Sequence, residues 1–335
     1  MSRRFASTCV TITEQSQVGE ARRAAQTMAL AIGLGETEVG QAGIIATEAA
    51  TNIILHAGSG RVLIQPCADM LGIELLAIDR GPGMPDLTRC LEDGYSTSGT
   101  AGQGLGAIRR QSSTFDIYSQ RSKGTVVLAT VKPRSSAKAT PSMETGAVCV
   151  GKHGEDVCGD LWSLHYDGPG CAIVVADGLG HGLGAAEAAQ RAVEIFDDDK
   201  NCLPGDCLGR IHDGLRATRG AAAAVARVDR SKGIIRYAGI GNIAASVMNG
   251  QPARSLISYN GILGHGVHKL QELNYPWSEG AILVMHSDGL STHWDLDSYP
   301  GLRNRHPSVI AAVLFRDHAR ERDDVTVVVT REVRA

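Results

Sequence analysis

The sequence predicts an α+β protein made of two successive domains. Its 335 residues are enough for two hydrophobic cores. Helical and strand-like apolar spacings run on both sides of residues 132–146, a stretch without periodicity that carries Pro, Ser and Lys. These observations place one domain at 1–132, a linker at 133–146 and a second domain at 147–335.

In the first domain, residues 5–13 alternate as a strand. Val18, Ala21, Ala25, Met28, Ala29 and Ile32 fall at helical spacing over 18–34, and Gly33 and Gly35 end that run. A second helix is expected over 36–57. It carries Glu48 and Asn52 four residues apart, on one face. Two strands follow, at 61–67 and 72–79, the second delivering Asp79, Gly81 and Gly83. Residues 84–102 are turn-rich and polar. Gly102, Gly104, Leu105 and Gly106 open a helix over 104–112, and strands at 114–120 and 124–131 finish the domain.

The second domain reads as strands at 147–150, 159–166 and 170–177, then a helix at 184–196. An acidic run, Asp197 to Asp199, is expected to be loop, because negative charge is unfavourable at a helix C-terminus. A helix at 205–218 precedes strands at 221–229, 233–240 and 242–248, and a turn at 261–264. A strand at 281–286 leads to Asp288, and a helix at 307–319 precedes Asp323 and Asp324.

Composition excludes several classes. The net charge of −3 gives no reason to expect affinity for nucleic acid or anionic lipid. No apolar run reaches membrane-spanning length, and the basic N-terminal residues lack the apolar stretch of a secretory signal. The eight cysteines include no Cys-x-x-Cys pair, so they are expected to be reduced core thiols of a cytoplasmic protein rather than a zinc site. There is no Gly-x-x-x-x-Gly-Lys-[Ser/Thr] run, which excludes a P-loop.

Two constellations carry chemistry. In the first domain, Asn52 can offer an amide oxygen to Mg²⁺ and Glu48 can act as a general base. Asp79 can accept from an exocyclic amine, with Gly81 and Gly83 letting a base lie against the backbone. Gly104 and Gly106 put N–H groups at a helix start, where phosphate is favoured. In the second domain, Asp160, Asp177, Asp288 and the pair Asp323-Asp324 each stand beside a strand. Carboxylates so distributed are what a two-metal oxygen site requires.

The ordered set Glu48-x-x-x-Asn52, Asp79-x-Gly81-x-Gly83, Gly102-x-Gly104-x-Gly106 and Gly124-Thr125 resembles the GHKL ATP-binding family, most closely its RsbT/RsbW-type anti-sigma-factor kinases. Asp-Gly-x-Gly-His-Gly from Asp177, Ser-Asp-Gly around Asp288 and Asp-Asp-x-Thr from Asp323 resemble the SpoIIE/RsbX branch of PP2C-type phosphatases. The first resemblance implies a GHKL-type α/β sandwich that binds Mg·ATP through Asn52, Asp79, Gly81, Gly83, Gly102, Gly104, Leu105, Gly106 and Thr125. It also implies Glu48 as the base of a Ser/Thr kinase, residues 84–102 as a lid, and a possible homodimer.

The second implies an α-β-β-α sandwich in which two Mn²⁺ or Mg²⁺ ions are held by Asp160, Asp177, the Gly178 carbonyl, Asp288 and Asp323, with Asp177 bridging. An activated water would then remove phosphate from a protein. The family partner of both activities is a STAS-domain anti-sigma-factor antagonist or stressosome-like scaffold, with a sigma factor as the partner if the first domain only sequesters. An ATP sensor is the remaining reading of that domain. The arginine that eukaryotic PP2C enzymes use to grip phosphate has no counterpart that the sequence places.

Overall fold

The computed structural model describes residues 6–84, 104–133, 142–249, 253–267, 269–320 and 322–333. The chain divides into two compact units. One holds residues 7–138 and 296–316; the other holds 1–6, 139–295 and 317–335.

The first unit contains β1 (Thr8–Ile12), α1 (Ser16–Ala31), α2 (Glu36–Ala57), β2 (Gly60–Pro66) and β3 (Ile73–Asp79). It continues with α3 (Gly104–Gln111), β4 (Thr114–Gln120) and β5 (Gly124–Val131). The strands form one antiparallel sheet in the order β1-β2-β3-β5-β4. Small residues at helical spacing, among them Ala21, Ala25 and Ala29 of α1 and Ala42, Ala46 and Ala50 of α2, bring both helices close to the sheet. They share one core with Val62, Ile64, Leu75, Val127 and Ala129. Alternation along the strands puts Leu63, Leu76 and Leu128 on the opposite face, and these are also fully buried.

That opposite face receives residues 296–316, which the sequence assigns to the second domain. The Ser308 hydroxyl donates to Glu74 Oε2 at 2.9 Å, the Arg61 guanidinium lies 5.7 Å from the Phe315 ring centroid, and the His306 N–H donates to Asp116 Oδ2 at 2.6 Å. The helix carrying Phe315, α6 (Pro307–His318), is buried at every position from Pro307 to Arg316. An all-round apolar helix is what such burial requires. The compact units thus group residues 296–316 with the first sheet, although in the chain they follow the second domain's strands. Periodicity cannot reveal which sheet a buried helix lies on.

Glu74 is 4% exposed and also accepts from Gln65 Nε2 at 2.5 Å. Burial pushes its carboxyl up to about 7. Because the folded value lies above the unfolded one, protonated Glu74 is favoured by folding, and stability falls as pH rises from about 4.5 through about 7. Glu74→Gln keeps the hydrogen-bonding shape and removes the charge. It is expected to stabilise the protein by roughly 3 kcal/mol at pH 8 and by little at pH 5, read as thermal midpoints at the two pH values.

The second unit contains two five-stranded antiparallel sheets. One is ordered β13-β10-β9-β8-β7, from β7 (Asp160–Asp167), β8 (Gly170–Gly178), β9 (Ala221–Asp229), β10 (Ile234–Ile240) and β13 (Leu273–Pro276). The other is ordered β12-β11-β14-β15-β6, from β6 (Met143–Val150), β11 (Ala244–Met248), β12 (Arg254–Leu256), β14 (Ile282–His286) and β15 (Val325–Glu332). The sheets face each other, with Cys171 Sγ of β8 lying 3.9 Å from Thr330 Oγ1 of β15. Helices α4 (Leu183–Asp198) and α5 (Pro204–Gly214) cover the outer face of the first sheet through Ala188, Ala192, Leu208 and Ile211. No helix of the described residues is long and apolar enough to cross a membrane.

Several expectations are corrected. β6 begins at Met143, four residues inside the stretch read as linker. α4 runs on through Asp197 and Asp198. Asp197 takes a hydrogen bond from Ser163 Oγ at 2.5 Å and lies 3.1 Å from His165 Nε2, and the Ser163 donor offsets part of the dipole penalty. α5 stops at Gly214 rather than 218, and the short strands β12 and β13 were not foreseen. Of the described cysteines, Cys67, Cys149, Cys171 and Cys207 are buried, but Cys9 is exposed, on the outward side of edge strand β1.

Candidate nucleotide and metal sites

In the first unit the predicted residues converge. One turn of α2 carries Glu48 and Asn52, and α3 starts against them. A Cβ on Gly104 would lie 2.8 Å from Asn52 Oδ1 and 3.3 Å from Glu48 Oε2, so glycine lets α3 start against both side chains without displacing them. The first N–H groups of α3, which lack helical partners, therefore open beside a carboxylate and an amide. Gly106 is buried and Leu105 is half-buried in the same turn. Gly102 lies outside the described residues, as do 85–103, where a lid was expected.

Asp79 ends β3. Its Oδ1 accepts from the Gly81 N–H at 2.7 Å and from the Thr125 N–H at 3.2 Å. Those two bonds fix the carboxylate and engage a single oxygen. Burial raises its pKa, and the two backbone donors oppose the rise. The Thr125 hydroxyl lies 2.9 Å from Ser119 Oγ, which takes the Met84 N–H at 2.8 Å and so ties the loop after Gly83 to β4 and β5. Ser119 was not foreseen. Its role depends on the pairing of β4 with β5, which sequence spacing does not display.

In the second unit, Asp160 begins β7 and Asp177 ends β8, and the two are direct cross-strand partners. Like charges placed opposite each other destabilise a sheet. Asp177 shares the inner side of β8 with Ile173 and Val175, while Val174 and Ala176 face the helices. The turn after it is set by Gly178, where a Cβ would stand 2.0 Å from the Ala185 carbonyl oxygen. From the other sheet, Asp288 follows β14, and Asp323 and Asp324 precede β15.

Electrostatics ties these groups together. Burial first, and then the charges of Asp288, Asp323 and Asp324, push Asp177 up to about 7. Asp160 is 1% exposed and is raised by burial and by Asp177. Asp323 is raised by burial and by Asp288. The compensating donors are neutral: Ser287 Oγ to Asp160 Oδ2 at 2.6 Å, Asn242 Nδ2 to Asp288 Oδ2 at 2.6 Å, and the Lys152 N–H to Asp324 Oδ1 at 2.8 Å. Among the described residues no three acidic, Cys or His groups close tightly enough to hold an ion. The donor set nonetheless fits hard divalent cations in its chemistry, being all oxygen, strongly anionic and short of cationic partners.

Asn242 and Ser287 were missed as site residues, whereas Asp324 was expected as the neighbour of Asp323; Asn242 stands one residue after Gly241 at the end of β10, a strand-end position of the kind that signalled the aspartates. His181 Nδ1 lies 2.7 Å from Glu155 Oε1 on the exposed turn. His286 is buried, with Nδ1 on the Ser287 carbonyl and Nε2 taking the Trp294 indole N–H at 3.3 Å, an arrangement that uses both nitrogens structurally.

Comparison with known proteins finds two families in succession along the chain, the second match taking in residues 296–316. The family described as histidine kinase-like ATPase domain matches residues 12–131, and that described as Stage II sporulation protein E (SpoIIE) matches residues 167–332. Asp160 lies outside both matches. Serine/threonine-protein kinase RsbT of Bacillus subtilis (strain 168) is 35% identical over 123 residues, which cover 36% of this chain and 92% of RsbT. A solved structure described as "The bacterial stressosome: a modular system that has been adapted to control secondary messenger signaling" aligns at 30% identity with a TM-score of 0.53, over 56% of this chain and 99% of that one. RsbX in complex with magnesium aligns at 19% identity with a TM-score of 0.50, over 58% of this chain and 98% of that one, a likeness of fold.

Proposed function

The chain belongs to two families at once, joining an RsbT-like histidine kinase-type ATPase domain to a SpoIIE-type PP2C phosphatase domain, and from that premise we propose that it is a bifunctional signalling regulator. The first domain phosphorylates a Ser or Thr of a protein partner from Mg·ATP. The second removes that phosphate. The observation that supports the reading is that each constellation lies in its own unit of one chain: Glu48 and Asn52 against the start of α3 with Asp79 at the end of β3, and five aspartates at strand ends of the second unit.

In the kinase reaction Glu48 takes the proton of the attacking hydroxyl, while the α3 N–H groups stabilise the phosphates. Asn52 would hold the Mg²⁺ ion. Asp79 accepts from the adenine amine with the oxygen that the Gly81 and Thr125 N–H groups leave open. In the phosphatase reaction Asp160, Asp177, the Gly178 carbonyl, Asp288 and Asp323 would hold two Mn²⁺ or Mg²⁺ ions. Bound there, such ions supply a water of lowered pKa and neutralise phosphoryl charge. Asn242 orients Asp288 and Ser287 orients Asp160. Asp324, already holding the Lys152 N–H, is a neighbour rather than a ligand in this reading.

The RsbT identity and the stressosome alignment support a STAS-domain antagonist or scaffold as the shared partner, and a cytoplasmic setting follows from that partner. The test uses the Asp177→Asn protein, Mg·ATP and a STAS protein encoded beside it, with intact mass as the readout. A gain of one phosphate, removed by wild-type protein with Mn²⁺, is expected. Glu48→Ala is expected to abolish the gain while ATP still binds. A gain that survives in Glu48→Ala removes the base assignment. No gain from the Asp177→Asn protein, with ATP bound, leaves an ATP sensor joined to a phosphatase.

A further inference from the structure

The turn that carries Asp79 is tied to a helix, α6, that lies outside the ATPase family match of residues 12–131. We propose that Arg80 is a positioning residue of the nucleotide site: by capping the C-terminal end of α6 it holds the turn from Asp79 to Gly83 in the shape that accepts adenine. This assignment rests on the nucleotide reading above, in which Asp79 takes the adenine amine.

α6 is pinned to β3 near both ends. Close to its start, the Ser308 hydroxyl bonds Glu74, close to the start of β3. Close to its end, Nη2 of Arg80, the residue that follows β3, donates to the Arg316 carbonyl. That carbonyl is among the last four of α6, which find no donor further along the helix. The Arg320 N–H, four residues on, bonds the Gly289 carbonyl at 2.7 Å instead. A guanidinium also suits the negative end of the helix dipole. Arg80 thus caps α6 from the nucleotide loop. The same loop is held from other sides. A Cβ on Gly124 would stand 2.1 Å from the Asp79 carbonyl oxygen and 2.7 Å from Arg80 Cα. The Ser122 N–H donates to the Pro82 carbonyl at 2.7 Å, and Ser119 takes the Met84 N–H. Residues 82–84 are therefore fixed by the β4–β5 hairpin, and the Arg80 side chain by α6. Between them stands Gly81, whose N–H holds Asp79 Oδ1 at 2.7 Å. Releasing Arg80 frees one end of that hydrogen-bonded turn. Charge points the same way. Burial raises the Asp79 pKa, and after the Gly81 and Thr125 N–H groups the charge of Arg316 is the next influence that lowers it, so the end of α6 stands within electrostatic reach of Asp79.

Loosening the turn is expected to cost the adenine end of the site and to spare the triphosphate end, whose N–H donors come from α3. Wild-type, Arg80→Ala and Arg80→Lys proteins are to be compared in Mg²⁺, by calorimetry with a non-hydrolysable ATP analogue and by competition with purine riboside triphosphate, which lacks the exocyclic amine. Arg80→Ala is expected to weaken binding of the ATP analogue by about tenfold, the scale of one hydrogen bond to a charged group, and to leave the amine-free nucleotide little changed. Arg80→Lys is expected to recover part of the loss, because an ammonium still offers the Arg316 carbonyl a donor without the planar fork.

A wild type that prefers the ATP analogue, with the same affinity in Arg80→Ala, overturns the assignment. So does an equal loss for both nucleotides, which makes Arg80 a support of the unit as a whole. The same selective loss from Ser308→Ala also overturns it, because that variant loosens the other end of α6 and leaves Arg80 in place. A wild type that binds neither nucleotide, or both equally, overturns the nucleotide reading of Asp79 itself, and the Arg80 assignment with it.

Discussion

Asp177→Asn is expected to remove phosphatase activity almost completely while ATP binding by the first unit stays at the wild-type level. The substitution is isosteric, so the pairing of β7 with β8 and the Gly178 turn survive. What is lost is the charge that faces Asp160 across the ladder and Asp288 and Asp323 across the sheets. In the proposed reading Asp177 would be a direct metal ligand, and such a ligand matters more than an outer-shell partner, so the rate is expected to fall by well over the roughly 100-fold that losing such a partner costs. Initial rates with Mn²⁺ and a phosphoprotein check the fall, and wild-type rates from the variant would remove Asp177 from the site.

The same variant has a second signature. The folded pKa of Asp177 is raised to about 7, so its ionisation opposes folding. In chelator, wild-type stability is expected to be full at low pH and to fall as pH rises through about 7. Asp177→Asn is expected to flatten that fall, and Mn²⁺ to reverse it in wild type only. A metal-free wild type equally stable at pH 5 and pH 8 would show that the carboxylates do not repel one another.

Asp79→Asn is expected to abolish ATP binding in the first unit with phosphatase activity retained. Asp79 Oδ1 is committed to the Gly81 and Thr125 N–H groups, which leaves one oxygen as the acceptor for the adenine amine. An amide in that place must either turn its NH₂ toward the adenine amine, donor against donor, or turn it toward the two backbone N–H groups and undo the loop. Either way a buried charge-assisted hydrogen bond is replaced by an unpaired donor. The expected loss is on the order of 100-fold in Kd. Calorimetry with a non-hydrolysable ATP analogue measures it, and unchanged affinity would move the base-recognition site away from Asp79.

Both sites were legible to different depths. Asp177, Asp288 and Asp323 announce themselves because each stands where an apolar strand stops and a turn begins. Glu48 and Asn52 do so because four residues make one helical turn. Neither pattern contains the register of β7 on β8, so the direct opposition of Asp160 and Asp177 appears only in the fold. Asn242 and Ser287 were hidden for the same reason. A lone polar residue at a strand end gains meaning from the carboxylate it meets across a sheet. The order of the elements was readable from period and punctuation. The placing of residues 296–316 was not, because an all-apolar helix carries no record of what it is buried against.

That placement bears on how the protein is made. The sheet of the first unit is synthesised by residue 131, but Phe315, Ser308 and their neighbours arrive some 180 residues later. At ribosomal rates of roughly 5–20 residues per second the delay is on the order of ten to forty seconds. Throughout it, the face bearing Leu63, Leu76 and Leu128 lacks the segment that covers it in the finished chain. The nascent ATPase domain therefore emerges sticky. A gene that stopped at residue 138 would leave that face without residues 296–316, and no single cut divides the chain into its two compact units.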